Sequence, residues 1–496
     1  MALVLVLAVG FSAGLNRSEQ KKALLPHAQP DLDGLKNLSH YKLDLSVDFA
    51  ALTFSGALDL DFVNAEDVDL EQVYFRLFPN ANKEFGGGSL EVSEVTVDKK
   101  SASTLLTYKN ILISAFSQQD TILEVALPEP LPPGKRARIQ MKFNGVVPKV
   151  DGLSPGENIG IFRFSQGVLT LAGWYPIVAV YDQDGWNLDP LWGASDAVFS
   201  DIALYSVDLK LSGNMIVAAT GITKSCKEEE QSTQCRLVSG PARDFTLLIS
   251  PDFQILNQEA GGTTINSYFL PGHENGGKQA LSAAVYSLEA YNELFGPYPY
   301  TELDIVDAPL EYSGMEYPGL VIIATDLYTD LDNLFFTEVV AHEVAHQWWY
   351  GIVGNDVFEA PWQDEGLTIH SSRFGLQKII GEQETTKYFE ELGKPLEEAQ
   401  EAGRDAPIAV SQQEMYNTND ISFMNLIIYE KADLFYQALH AKIGDEAFLG
   451  ALQSYYQKYK YKIALPEDLL NEFEQAAGIP LDDFYQEWLY TASFGK

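Results

Sequence analysis

Basic side chains are scarce in this chain of 496 residues. The sequence has 33 Lys and Arg against 70 Asp and Glu, which gives a formal net charge of −37. Proteins that bind nucleic acids need a basic face to neutralise phosphates, so we expect no nucleic-acid partner. Hydrophobic residues make up 46% of the sequence, a share that is typical of a globular protein with a packed core.

Cysteine is nearly absent. Cys226 and Cys235 are the 2 cysteines of the sequence, and a polar stretch separates them. Their spacing does not match that of a zinc-ligand pair. We predict that they form a disulfide across a hairpin, which implies an oxidising compartment. The alternative is two free thiols on neighbouring strands.

Long hydrophobic runs are also missing beyond the N-terminus, so no membrane-spanning helix is expected there. Residues 1–10 are strongly apolar, but this stretch is too short to cross a bilayer. It is similar to the apolar part of a secretory signal, although it has no basic start and no clear cleavage site. We therefore expect an exported protein, either extracellular, at the cell surface or periplasmic, with this segment as a candidate membrane attachment.

Two kinds of hydrophobic periodicity divide the chain. Apolar and polar residues alternate from about residue 41 to residue 249, as in half-buried strands, whereas helical periodicity dominates from about residue 279. We predict an α+β multidomain protein. Residues 1–38 are expected to be a signal or anchor remnant and a linker. Residues 39–256 are expected to form an all-β domain with a large twisted antiparallel sheet or sandwich, and residues 257–496 a mostly helical domain with a small sheet.

Histidine is rare as well, with 7 in the chain, yet two of them belong to the pentapeptide His342-Glu343-Val-Ala-His346. On a helix, His342 and His346 lie on one face and can bind one metal ion together. Glu365 is the expected third ligand, which leaves a fourth position open, as in catalytic zinc sites. Glu343 is then the expected general base. We predict one Zn²⁺; the alternative is a buried helix with two structural histidines.

The residues around this motif resemble the gluzincin aminopeptidases, which are zinc metallopeptidases of the aminopeptidase N and leukotriene hydrolase type. The likeness rests on residues 340–348, on residues 362–368 around Glu365, and on residues 313–317, which read Ser-Gly-Met-Glu-Tyr. It implies a thermolysin-like catalytic domain after the β domain. It also implies that Glu316 binds the free α-amine of a peptide, with Gly314 and Met315 beside it.

The resemblance extends to further positions. Tyr429 falls where the family has the tyrosine that stabilises the transition state, and Gln166 is the nearest candidate for a second amine-binding group. We expect the strand at residues 319–325 to hold the substrate backbone as an added strand. His370 and Glu338 are candidate partners that orient the metal ligands.

We therefore predict a zinc-dependent aminopeptidase that acts on peptides with a free N-terminus. The sequence is similar to a short form of the family without the C-terminal helical domain. Three alternatives remain at this stage: a zinc endopeptidase, an epoxide hydrolase that uses the same metal, and a non-catalytic peptide-binding protein. Glu343 argues against the last of these, because binding alone needs no base.

Overall fold

The computed structural model describes residues 17–81, 87–107, 120–150, 160–192, 198–229 and 231–492. The apolar residues 1–10 lie outside the described residues. Within the described ranges, no helix combines the length and apolarity needed to cross a membrane.

The first part of the chain is built almost entirely from strands, after one short helix, α1 (Gln29–Gly34). The strands are β1 (Ser39–Asp48), β2 (Thr53–Val63), β3 (Leu70–Arg76), β4 (Ser89–Val97), β5 (Lys100–Ser101), β6 (Thr104–Thr107), β7 (Ile122–Leu131), β8 (Arg136–Val146), β9 (Phe162–Ser165), β10 (Val168–Leu171), β11 (Ile177–Val178), β12 (Tyr181–Asp182), β13 (Gly185–Trp186), β14 (Ala203–Ser212), β15 (Ile216–Ala219), β16 (Ile222–Glu229), β17 (Ser232–Val238) and β18 (Leu247–Ser250).

Most of these strands belong to three sheets. The largest has eight strands in the order β16-β17-β14-β1-β2-β8-β4-β5, and two four-stranded sheets have the orders β15-β18-β10-β9 and β11-β3-β7-β6. The pairing is antiparallel except between β1 and β14, which are parallel. Strand β1 alternates buried and exposed residues along most of its length, so one face of the large sheet packs on the core and the other meets solvent.

The second part contains a smaller sheet and most of the helices. Its strands are β19 (Gln254–Ala260), β20 (Thr263–Phe269), β21 (Glu302–Ala308), β22 (Gly314–Tyr317), β23 (Leu320–Ala324), β24 (Val353–Gly354) and β25 (Lys462–Ile463). Its helices are α2 (Glu274–Leu294), α3 (Leu334–Ala345), α4 (Pro361–Ile380), α5 (Glu382–Leu392), α6 (Lys394–Glu401), α7 (Gln412–Asn417), α8 (Ile421–Leu426), α9 (Ala432–Ile443), α10 (Asp445–Tyr459), α11 (Pro466–Ala477) and α12 (Asp482–Leu489). A π-helical turn, Ile427–Lys431, joins α8 to α9.

The small sheet has the strand order β19-β20-β21-β23-β22. This order places β22 at the edge and β23 in the interior, between β21 and β22. The prediction that the strand at residues 319–325 holds a substrate backbone is therefore wrong, because both edges of β23 are already paired. The outer edge of β22 pairs with no strand among the described residues, and only a free edge can accept an added strand.

Residues 17–38 are packed onto the protein, although their polar composition indicated a linker. Leu24, Ala28 and Leu32 are buried, and the backbone N–H of Leu25 donates to the carbonyl of Pro299 at 2.8 Å. The apolar residues of this segment are few, but each fills a place in a core that distant parts of the chain create. Composition alone does not show such a place.

Candidate active site

Helix α3 carries the His342–His346 motif. Asn333 caps its start, since the side-chain oxygen accepts the N–H of Phe335 at 3.0 Å. Helix α3 ends at Ala345, and His346 is its C-cap. In the turn that follows, the N–H of Tyr350 donates to the carbonyl of Val353 at 2.8 Å.

Three donor atoms from α3 and α4 meet at one point. The Nε2 atoms of His342 and His346 are 3.1 Å apart, and Oε2 of Glu365 lies 3.3 Å from the first and 3.2 Å from the second. A tetrahedral zinc with ligand bonds of about 2.0–2.1 Å needs ligand atoms roughly 3.3 Å from one another. The three donors therefore fit zinc, and a tetrahedron built on them keeps one position open.

The electrostatic surroundings of these donors favour a cation. Burial by itself would raise the pKa of Glu365, but hydrogen bonds from His342 and His346 outweigh it and lower the pKa below its usual range. Burial would lower the pKa of His346, but the carboxylates of Glu316, Glu365 and Glu343 together raise it well above its usual value. The site thus has a strongly negative potential, which a divalent cation would relieve.

Neighbouring groups hold His346 in its orientation. Its Nδ1 lies 3.0 Å from the carbonyl of Trp349 and 3.2 Å from Oγ1 of Thr368. A partner on the second ring nitrogen leaves Nε2 free to bind a metal. The two predicted orienting residues contact other groups: Nδ1 of His370 lies 3.0 Å from Asp433, and Oε1 of Glu338 accepts the hydroxyl of Ser372 at 2.9 Å.

Strand β22 brings Glu316, Gly314 and Met315 to the metal ligands. Glu316 is 5% exposed, and carboxylate and ring atoms of Glu316, Glu343 and His346 all lie within 4.8 Å of one another. A Cβ atom on Gly314 would lie 2.1 Å from Oε1 of Glu343. Glycine at this position therefore lets the strand approach Glu343.

Gln347 ties this strand to the metal helix. Its Oε1 accepts the N–H of Gly319 at 2.7 Å, and its Nε2 donates to the carbonyl of Tyr317 at 3.0 Å. Gln347 is 1% exposed, so both bonds are shielded from water. The turn between β22 and β23 is thereby fixed relative to the residues that bind the metal.

Tyr429 lies on the π-helical turn, and its hydroxyl donates to Oε1 of Glu365. It is therefore beside the metal ligands, as predicted for a group that contacts the reacting atoms. A cavity of about 320 Å³ contains the predicted residues and several others. The lining residues are Tyr312, Ser313, Gly314, Met315, Glu316, Phe335, Glu338, Val339, His342, Glu343, His346, Glu365, Ile369, Leu392, Ile421, Asn425, Tyr429 and Glu430.

Gln166 does not reach this cavity. It is exposed, with a φ of 48°, at the turn between β9 and β10, and it is not among the lining residues. The prediction that Gln166 is a second amine-binding group is therefore wrong. Gln166 lies on a hairpin turn, where one residue of shift changes which side chains face a site, so sequence likeness alone does not place it.

Sequence reasoning did not identify Thr368, Gln347, Asn425 or Glu430 as parts of the site. Thr368 follows Glu365 by three residues on α4, so helical spacing was a usable signal for it. The other three contribute through contacts between distant segments. No local pattern marks them.

A β-rich first domain, a five-stranded sheet with an edge strand, and a His-His-Glu donor set on two packed helices define a zinc metallopeptidase fold of the gluzincin class. Residues 279–488 match the model of the peptidase family M1 domain. This part of the chain therefore carries a peptidase family M1 domain, which confirms the resemblance seen in the sequence. Zinc is confirmed as its cofactor.

The chain is similar to curated aminopeptidases over part of their length. It is 31% identical over 240 residues to aminopeptidase M1-B of Oryza sativa subsp. japonica, which covers 46% of this chain and 27% of that protein. It is 22% identical over 477 residues to the alanine/arginine aminopeptidase of Saccharomyces cerevisiae, which covers 92% of this chain and 51% of that protein. The chain thus spans between about a quarter and a half of these two relatives.

A solved structure matches the fold along nearly the whole chain. The M1 zinc metallopeptidase from Deinococcus radiodurans has a TM-score of 0.66 and 18% identity, and the match covers 93% of this chain and 94% of that one. The predicted fold class, an all-β domain followed by a mostly helical domain with a small sheet, is confirmed.

Proposed function

We propose that this protein is a zinc-dependent aminopeptidase that removes N-terminal residues from peptides. One observation carries the proposal: the carboxylate of Glu316 lies within 4.8 Å of atoms of Glu343 and His346. A residue in an extended chain spans about 3.3–3.6 Å. A peptide whose ammonium group pairs with Glu316 therefore has its first carbonyl beside the metal ligands, so cleavage falls after the first residue.

Each residue of the site has its own role in the proposed reaction. His342, His346 and Glu365 would hold the zinc ion, which when bound supplies a Lewis acid for the attack of water on a carbonyl. Glu343, which is 5% exposed, takes the proton of the attacking water and passes it to the leaving amine. The hydroxyl of Tyr429 donates a hydrogen bond to the oxygen on which negative charge develops.

The edge of β22 supports the binding of an extended peptide. Its partner β23 is paired on both sides, whereas the other edge of β22 is unpaired among the described residues. A substrate backbone can add to that edge with strand-like hydrogen bonds. The ammonium then meets Glu316 on the same strand through a charge-assisted contact.

The decisive experiment compares free and N-acetylated peptides of one sequence, with and without a zinc chelator. We expect hydrolysis of the free peptide, loss of activity with the chelator, and recovery after zinc is added back. Acetylation should lower kcat/KM by at least a hundredfold, since it removes the charge that Glu316 pairs with. Equal rates on both peptides would instead indicate an endopeptidase. The absence of any chelator-sensitive hydrolysis would favour a peptide-binding protein.

We further propose that Cys226 and Cys235 form a disulfide and that the protein is exported. The two cysteines are direct cross-strand partners on β16 and β17, which supports a bond between them. Disulfides persist in oxidising compartments, and the apolar residues 1–10 agree with export or membrane attachment. Thiol titration of the denatured protein should find no free thiol before reduction and two after it. Two free thiols in protein from the native compartment would reject both parts of this proposal.

A further inference from the structure

The cavity continues past the metal ligands on the side away from Glu316. Glu316 lies close to Glu343 and His346, whereas Glu338 precedes His342 by four residues on α3. Four helical residues correspond to about 6 Å along the axis. Glu316 and Glu338 therefore lie at opposite ends of the site, with the metal ligands between them.

Helix α4 also runs from the metal ligands toward Glu338. Ile369 follows Glu365 by one turn and lines the cavity. Further along α4, the hydroxyl of Ser372 donates to Oε1 of Glu338 at 2.9 Å. A peptide with its ammonium on Glu316 and its first carbonyl at the metal ligands thus places its second residue toward Glu338.

Hydrogen-bond acceptors other than the metal ligands also line the cavity. The charge of Glu430 acts on Glu338, so these two carboxylates lie near each other. Glu338 is 4% exposed and lines the cavity together with Glu430 and Asn425. Two buried atoms, Oε2 of Glu430 and Oδ1 of Asn425, have no hydrogen-bond partner among the described residues. A buried acceptor without a partner is costly, so these atoms favour a ligand that brings donors.

The lysine and arginine side chains that the structure describes do not fill this role. The lining residues include neither Lys nor Arg. The nearby cation Arg373 is bound to Asp433, with Nε contacts of 2.9 and 3.1 Å to the two carboxylate oxygens. Burial also raises the pKa of both Glu338 and Glu430 to about 7, and a bound cation would favour their ionised forms.

We propose that Glu338, Glu430 and Asn425 form a subsite for a basic side chain, Lys or Arg, on the second residue of the substrate. The proposal rests on the proposed aminopeptidase function. A lysine ammonium offers three donors and an arginine guanidinium five, and the three residues supply carboxylate and amide acceptors for them. The subsite thus selects the residue after the scissile bond, while Glu316 anchors the amine before it.

The test uses the full-length zinc enzyme and three tripeptides, Ala-Lys-Gly, Ala-Leu-Gly and Ala-Glu-Gly. We expect kcat/KM for the lysine peptide to exceed that for the leucine peptide at least tenfold, and that for the glutamate peptide at least a hundredfold. Moving lysine to the first position, as in Lys-Leu-Gly, should not give this gain. Equal rates for the lysine and leucine peptides would overturn the subsite.

Two variants and a control test whether Glu430 and Glu338 cause the preference for lysine. Glu430→Gln and Glu338→Gln should each lower the lysine-to-leucine ratio at least threefold, whereas Glu390→Gln, an exposed position on α5, should leave the ratio unchanged. An unchanged ratio in Glu430→Gln and Glu338→Gln would reject the assignment. If Glu338→Gln fails to fold, Glu430→Gln and the wild-type series still decide. Failure to cleave any of the peptides contradicts the proposed function itself, whereas cleavage without preference contradicts only the subsite.

Discussion

Gly314 and Glu343 are in such close contact that a side chain on the glycine has no space. A Cβ atom at residue 314 would lie 2.1 Å from Oε1 and 2.4 Å from Cδ of Glu343. These distances are far below van der Waals contact, so either strand β22 or the carboxylate of Glu343 must move in any substituted protein. The glycine thus sets the distance between the edge strand and the general base.

Gly314→Ala should lower kcat/KM by about a hundredfold, because a displacement near 1 Å at the reacting groups has an effect of that size. Steady-state kinetics on a free peptide measures it. Gly450→Ala on α10 is the matched control: nothing lies within 4 Å of its added Cβ. The control should keep full activity and gain up to about 1 kcal/mol of stability, since alanine favours a helix. An active Gly314→Ala enzyme would show that β22 need not lie this close.

Substitution of a proposed metal ligand should remove zinc from the protein, whereas substitution of the proposed base should not. We expect Glu343→Gln to retain one zinc per chain and to lose about 10²–10⁴-fold in kcat, because only the proton acceptor is removed. Glu365→Gln should lose zinc, since a neutral amide replaces the charged ligand. Elemental analysis after dialysis, together with activity assays, tests both. Loss of zinc from Glu343→Gln would assign that residue to metal binding.

Gln347→Ala should destabilise the protein by about 2–3 kcal/mol. The substitution leaves the N–H of Gly319 and the carbonyl of Tyr317 without their partner in a buried region. Denaturant unfolding measures the change in the free energy of unfolding. Gln486→Ala on the exposed face of α12 is the control and should change it by less than about 0.5 kcal/mol. Activity should also fall, because the turn positions Glu316.

Stability should decrease as the pH rises from about 4 to 7, in part because of Asp244. Burial raises the pKa of Asp244 to about 7, against the opposing effects of the Tyr350 hydrogen bond and of Arg243. The folded state therefore holds a proton that the unfolded state releases near pH 4, so its contribution is present at low pH and lost through pH 7. The full effect is on the order of 4 kcal/mol.

Asp244→Asn removes this titration and keeps an acceptor for the Tyr350 hydroxyl, which donates to Asp244 at 2.8 Å. Unfolding free energies at pH 4 and pH 8 should show the variant gaining stability relative to wild type as the pH rises. For Asp483→Asn, at an exposed position on α12, the difference in unfolding free energy from wild type should be the same at both pH values. A parallel curve for Asp244→Asn as well would mean that Asp244 is ionised in the folded protein at low pH.

The grouping of the candidate metal ligands with Glu343 was predictable because their relations in the sequence are local or nearly so. Helical spacing alone places His342 and His346 on one face, and Glu365 begins the cavity-lining side of the next long helix. The position of Gln166 was not predictable, since it depends on the exact course of a hairpin in another domain. The edge position of β22 depends on strand order, which hydrophobic alternation does not encode.

The sequence by itself predicted the metal, a candidate base, the order of an all-β part and a helical part, and, through its family likeness, a candidate amine anchor. These features depend on residue types at short spacing, and short spacing translates directly into geometry. Only the tertiary structure decided that β22 lies at an edge of the small sheet, that Gln347 fixes the turn after it, and that Glu338, Glu430 and Asn425 line one cavity. Each of these is a contact between segments far apart in the chain, and such contacts form only when the helices and the sheet pack together.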